Sequence, residues 1–193
     1  VSRVDPAAGI PQVLVADTFV ALGKLGQAWR EQFSLTRVAI TGSAGKTTTK
    51  EMMASIFEGI GPTLATLGNK NNEIGVPLTL LRLSSAHQFG VFELGANHRG
   101  EIAYTCGLVA PHAAVITNVG VAHLEGFGSR EGIAEAKGEI YGGLTEAGVA
   151  VINHDDEFAS YWRELAADRK QVEFSMSAPV TVHASDVRIG ANR

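Results

Sequence analysis

Residues 37–48, Arg-Val-Ala-Ile-Thr-Gly-Ser-Ala-Gly-Lys-Thr-Thr, set a β-rich run against a glycine-containing loop and a Lys-Thr pair against a helical stretch. That order is the strand–loop–helix context of a phosphate-binding loop. Gly42 and Gly45 leave room for successive backbone N–H groups to approach an anion where a Cβ would obstruct them. A helix beginning at Thr47 turns its positive dipole end on the same point. Lys46 supplies charge for the β/γ region of a nucleotide, and the Thr47 hydroxyl is a candidate Mg²⁺ ligand. Ser43, Ala44 and Thr48 complete the candidate nucleotide contacts. The common motif has four residues between its glycines. Here Gly42 and Gly45 enclose two, and Ile40 stands where the first glycine would be. A general NTPase pattern therefore does not match, and the segment alone is also compatible with a tight turn whose lysine is solvated.

Working outward, short β-rich runs alternate with helical segments. Strands are expected over residues 37–41, 63–66, 90–94, 113–117, 149–153 and 172–174, and helices starting near Thr47, Val76, Gly100, Ser129 and Asp155. The alternation predicts an α/β fold, a mostly parallel sheet flanked by helices. Residues 180–189 alternate apolar and polar, as a half-exposed strand does. Ahead of the loop, Asp17 or Thr18 caps a helix running to about Phe33, with an apolar stripe of Val20, Leu22, Leu25, Ala28 and Trp29. Two apolar stretches, residues 1–4 and 13–16, precede it around a turn-like Asp5-Pro-Ala-Ala-Gly9.

The bulk properties narrow the class. A chain of 193 residues that is 45% hydrophobic and 19% charged buries one core with an appendage. A net charge of −4 offers no basic field for nucleic acid or an anionic membrane. The single cysteine, Cys106, excludes an internal disulfide framework and a thiolate zinc cage, and fits a reducing cytoplasm. No apolar run approaches a membrane span in length. A monomer is expected.

Glu93 follows the apolar run 89–92, which places it at the carboxyl end of a parallel strand, where ligands of open α/β sheets bind. A carboxylate there is a candidate Mg²⁺ ligand, and taken alone it is equally a helix cap. His123 also lies just past a β-run and is a candidate for a second metal. His98 is its nearest rival, His87 and His112 precede strands, and His154 and His183 read as surface positions. Lys137 adjoins the helical face of Ile133, Ala136 and Ile140, where pattern alone favours a snorkelling surface lysine. The loop of residues 68–77, Gly-Asn-Lys-Asn-Asn-Glu-Ile-Gly-Val-Pro, carries Asn69, Asn71 and Asn72, either as an Asx-rich turn or as a substrate-facing loop.

Taken in order, residues 40–48, the asparagine loop, Glu93-Leu-Gly-Ala-Asn-His98, Ala122-His-Leu-Glu-Gly-Phe-Gly128 and Ala136-Lys-Gly-Glu139 resemble the Mur ligases, and the match runs from about Ile10 to Phe174. The unusual spacing of Gly42 and Gly45 agrees with that family. The asparagine, Glu93 and histidine segments look most like the member that adds D-alanyl-D-alanine to UDP-N-acetylmuramoyl-tripeptide. The resemblance implies ATP and Mg²⁺ as cofactors, with phosphates on Gly45, Lys46 and Thr47. It implies one magnesium on Thr47 and Glu93, a second involving His123, and a carbamylated Lys137 supporting the metal. Lys46, His123 and Lys137 are thereby the expected catalytic residues. Asn118 and Asn153 fall in segments that recur in the family, without an assigned role. The resemblance also implies a division of the chain. Residues 1–17 would end a UDP-sugar-binding domain, 18–34 form a connecting helix, and 35–193 an incomplete ATP-binding domain whose C-terminal partner is absent, so that this piece alone has no turnover. The alternatives are another ligase of the Mur or folylpolyglutamate type, and a nucleotide-binding module without ligase chemistry. Glu93, His123 and Lys137 weigh against the last, because a simple binder needs no second metal.

Overall fold

The computed structural model describes residues 1–120 and 124–187. The elements run α1 (Thr18–Arg30), β1 (Thr36–Thr41), α2 (Lys46–Glu58), β2 (Thr63–Ala65), α3 (Gly75–Leu80), β3 (Phe89–Glu93) and α4 (Glu101–Val109). They continue with β4 (Ala113–Ile116), α5 (Leu124–Phe127), α6 (Arg130–Gly142), β5 (Val149–Asn153), α7 (Ala159–Leu165), β6 (Lys170–Ser175) and β7 (Val182–His183). Seven strands form one sheet in the order β2-β3-β1-β4-β5-β6-β7, and every neighbouring pair is parallel. The expected α/β architecture is therefore the one observed.

The strand order places the site. From β1 the chain moves out to β2, returns to β3 beside β1, then crosses to β4 on β1's other side. The order reverses at β1, and the crevice beyond its carboxyl end is where open parallel sheets receive ligands. Thr41, Glu93, Ile116 and Asn153 end their strands on that rim.

Central strands are buried on both faces, as a parallel sheet requires. Along β1, Val38 and Ile40 join Ala54 of α2, Val91 and Val115 in one cluster. Ala39 faces the larger cluster, which contains Val76, Phe92, Ile102, Ile133, Ile140 and Trp162. Trp162 is fully buried, and its indole N–H donates to the Ala134 carbonyl at 3.1 Å, tying α7 to α6.

Three expectations change. Asp17 caps α1 as predicted, its Oδ1 accepting from Phe19 N at 2.7 Å and Val20 N at 3.1 Å. The buried residues of α1, however, are Gly23, Gly26 and Arg30, while Val20 and Leu25 are exposed. The packed face is made of small residues because the helix lies close on α3 and α4. A Cβ at Gly26 would sit 3.0 Å from the Pro77 Cα, and one at Gly23 would overlap the Tyr104 hydroxyl. The second change concerns the helix expected from Asp155, which begins at Ala159. Asp155 does not cap it, because its carboxylate is taken by Ser175, Ser177 and the Met176 N–H at the end of β6. Among the described residues of the alternating tail, 180–187, Val182–His183 alone pair as a strand. No helix among the described residues is long and apolar enough to cross a membrane.

Candidate functional site

The chain leaves β1 at Thr41 and turns through Gly42, at φ 150°, and Gly45, at φ 79°, into α2. Such angles belong to glycine, since an L side chain at either position would be strained. Gly45 is the N-cap, and no side chain caps the helix. The first N–H groups of this 13-residue helix thus face the rim without an internal partner, which is the arrangement that receives phosphate. The Lys46 amine donates to the Gly42 carbonyl at 2.8 Å, bending over the loop it is meant to serve. Two buried hydroxyls beside the loop, Thr41 Oγ1 and Ser43 Oγ, have no hydrogen-bond partner among the described residues.

Glu93 ends β3 next to β1 and is 2% exposed. Its carboxylate accepts from the Thr47 hydroxyl at 2.9 Å and from Asn71 Nδ2 at 2.7 Å. Its backbone N–H donates to Thr66 Oγ1 at 3.0 Å, and the Thr66 carbonyl accepts from the buried Lys50 amine at 2.8 Å. A carboxylate this deep is costly unless hydrogen-bonded, and these contacts also fix its direction. Thr47 and Glu93 present adjacent oxygen donors, the kind Mg²⁺ takes. Among the described residues no group of three or more His, Cys, Asp or Glu converges. The donor set therefore fits an ion completed by phosphate oxygens and water better than an all-protein cage.

Lys137 lies on α6 at 4% exposure, not on the surface. Burial, and then the positive charge of Lys46, lowers its amine to about 8 from the ordinary 10.5. Desolvation disfavours the ammonium, so the neutral amine is reached at lower pH than for an exposed lysine. Neutral amine is the form that captures CO₂, and the residue present fits the carbamate expected of it.

The structure thus joins residues 42–48, Glu93 and Asn71 on one rim, with Lys137 close enough to Lys46 to feel its charge. Asn72 instead accepts from Gly75 N at 2.9 Å and starts α3, and Asn69 is exposed. His123 lies outside the described residues. The other histidines have protein partners of their own. His98 pairs with Glu101 at 2.8 Å, and His112 accepts from Arg37 N at 3.0 Å. His154, expected at the surface, is half-buried against Glu173 at 2.6 Å and Arg163. Sequence reasoning missed Lys50 and Thr66, which carry no motif. It left Thr117, Asn118, Asn153 and Asp156 without a role, although each stands at or just past a strand end on the same rim, the signal that had singled out Glu93.

Residues 40–192 match the Mur ligase middle domain. The chain belongs to the Mur ligase family. It is 50% identical over 169 residues to the UDP-N-acetylmuramoyl-tripeptide–D-alanyl-D-alanine ligase of Escherichia coli K12, covering 88% of this chain and 37% of that protein. A crystal structure of MurF from Acinetobacter baumannii superposes with a TM-score of 0.91 at 48% identity, over 97% of this chain and 40% of that one. The MurF ligase of Thermotoga maritima, solved in complex with ADP, gives 0.80 at 35% identity over 91% of this chain and 40% of its own. The chain therefore spans well under half the length of these relatives. The Mur ligase middle domain is the unit to which the rim of β1, β3 and β4 belongs.

Proposed function

We propose that this chain is the nucleotide-activating domain of an ATP-dependent, Mg²⁺-requiring ligase that joins D-alanyl-D-alanine to UDP-N-acetylmuramoyl-tripeptide in peptidoglycan precursor synthesis. The observation that carries the reading is one juxtaposition. The uncapped start of α2, the Lys46 amine, and a buried Glu93 bonded to Thr47 share the crevice where the strand order reverses. The choice among ligases is supported by what the printed names of the Escherichia coli, Acinetobacter and Thermotoga relatives say of those proteins.

The reaction has two stages. The terminal carboxylate of the tripeptide attacks the γ-phosphorus of ATP, forming an acyl phosphate and releasing ADP. The amine of D-alanyl-D-alanine then adds to the acyl carbon, and phosphate leaves as the amide forms. The residues of this chain act by position and charge. The N–H groups of Gly45, Lys46 and Thr47 hold phosphate oxygens, and the Lys46 amine neutralises charge on the group being transferred. Magnesium, when bound, withdraws charge from the β/γ oxygens. Thr47 and Glu93 would hold this ion, and His123 and a carbamylated Lys137 would serve a second. Capture of CO₂ turns the Lys137 amine into an anion, so a side chain that would repel the metal becomes able to support it. Asn71 keeps Glu93 aimed.

Titration of Mg·ATP into wild type and Lys46→Ala, followed by product analysis with both substrates in the complete ligase, tests this reading. We expect binding by wild type, loss of at least tenfold in the variant, and one amide product per ADP. Equal binding by both proteins would remove the phosphate-loop assignment. Nucleotide binding without amide formation would leave a nucleotide-binding module and sink the ligase reading.

A further inference from the structure

The middle of the phosphate loop is bonded to the exit of β4, not to the helix it leads into. The Ser43 N–H donates to the Asn118 carbonyl at 2.9 Å, and the Ala44 N–H donates to Asn118 Oδ1 at 3.0 Å. Asn118 Nδ2 returns a bond to the Ala44 carbonyl at 3.2 Å, and the Thr117 hydroxyl reaches the same carbonyl at 2.6 Å. A Cβ at Gly42 would overlap the Thr117 hydroxyl, so the loop also lies flat on this segment. The segment is held in turn from β5. Asn153 Nδ2 donates to the Thr117 carbonyl at 2.8 Å, and Asp156 accepts from the Val119 N–H at 2.8 Å.

We propose that Asn118 is a positioning residue for the nucleotide. By occupying the N–H groups of Ser43 and Ala44 it sets the curvature of the loop before any ligand arrives, and leaves those of Gly45, Lys46 and Thr47 to receive the phosphates. This rests on the nucleotide reading above and adds to it a residue that touches no reacting atom. The chemistry calls for a carboxamide. Its acceptor and donor lie in one plane and meet both the N–H and the C=O of a single residue, as a neighbouring strand would. Aspartate keeps the acceptor, loses the donor and brings negative charge toward an anion, and alanine loses both. The loop needs such a clamp because Gly42 and Gly45 otherwise leave its backbone with wide freedom, and freedom removed before binding is not lost on binding.

The test uses the complete ligase as wild type, Asn118→Ala and Asn118→Asp. Affinity for Mg·ADP is read by calorimetry, and amide hydrogen exchange is followed in the nucleotide-free protein. We expect Asn118→Ala to bind Mg·ADP about tenfold more weakly, as two lost hydrogen bonds imply, and Asn118→Asp more weakly still. Exchange should quicken at Ala44, whose N–H loses its side-chain acceptor, and stay unchanged along α6. The KM for ATP should rise while those of the carboxylate and amine substrates hold. Equal affinity in wild type and Asn118→Ala overturns the inference alone. A fall in melting temperature with every ligand weakened alike also overturns it, leaving Asn118 a residue of the fold only. No binding by folded wild type removes the nucleotide reading and the inference with it.

Discussion

Replacing Lys137 by methionine should stabilise the folded chain at neutral pH. The side chain is 4% exposed, and burial followed by the charge of Lys46 lowers its amine from 10.5 to about 8. A difference of 2.5 pKa units, taken from those two values, corresponds to about 3 kcal/mol of penalty on the charged form. The sign follows from proton linkage. Below about pH 8 both folded and unfolded chains carry the proton, and the full penalty is present. Between about 8 and 10.5 the unfolded chain holds more protons than the folded one, so wild-type stability rises with pH until the penalty is gone. Methionine has similar length and no charge, so Lys137→Met should exceed wild type by up to about 3 kcal/mol at pH 7, with the gap closing above pH 10. Urea unfolding of both proteins in CO₂-free buffer across this range measures it, since every other titrating group is common to the two. Adding bicarbonate should change the wild type and leave the variant alone. A variant less stable than wild type by the same amount at every pH would refute the reasoning, because it would mean that the amine is fully compensated where it lies.

Two further outcomes concern the fold. Hydrogen bonds from Arg163, and then from His154, hold the Glu173 carboxyl at about 2, below its ordinary 4.5. Stability from this set is complete above pH 4.5 and is lost as pH falls toward 2. In Glu173→Gln that acid limb should flatten, with roughly 1 kcal/mol or less lost at neutral pH, and an unchanged acid profile would count against the ion-pair account. Trp162→Ala empties a fully buried site and removes the indole bond to the Ala134 carbonyl, which should cost about 3–5 kcal/mol in chemical denaturation. A loss under about 1 kcal/mol would mean that α7 is not anchored through its indole.

Much of the fold was legible in residues 37–48, because a strand, two glycines and a Lys-Thr pair in that order are local features that a parallel sheet then extends. The positions of the first six strands followed to within a residue or two for the same reason: β-rich runs and their breaks are written along the chain. Lys137 marks the opposite case. Its helical neighbourhood read as surface, and only the packing of α6 on the sheet puts the amine in a dry place beside Lys46. The stripe of Val20 and Leu25 likewise suggested a buried face, whereas close approach to Pro77 and Tyr104 selected Gly23 and Gly26.

The sequence by itself determined the phosphate loop, the alternation of strands and helices, and the acidic residue at a strand end, all matters of residue type and local order. Tertiary structure decided what those residues meet. Asn71 on Glu93, Lys50 under Thr66, Asn118 on Ala44 and Asn153 on Thr117 join positions separated by 16 to 74 residues. No local pattern encodes such pairs. They exist because the strand order brings the ends of β1, β3, β4 and β5 to one rim, where buried polar groups must satisfy one another in the absence of water.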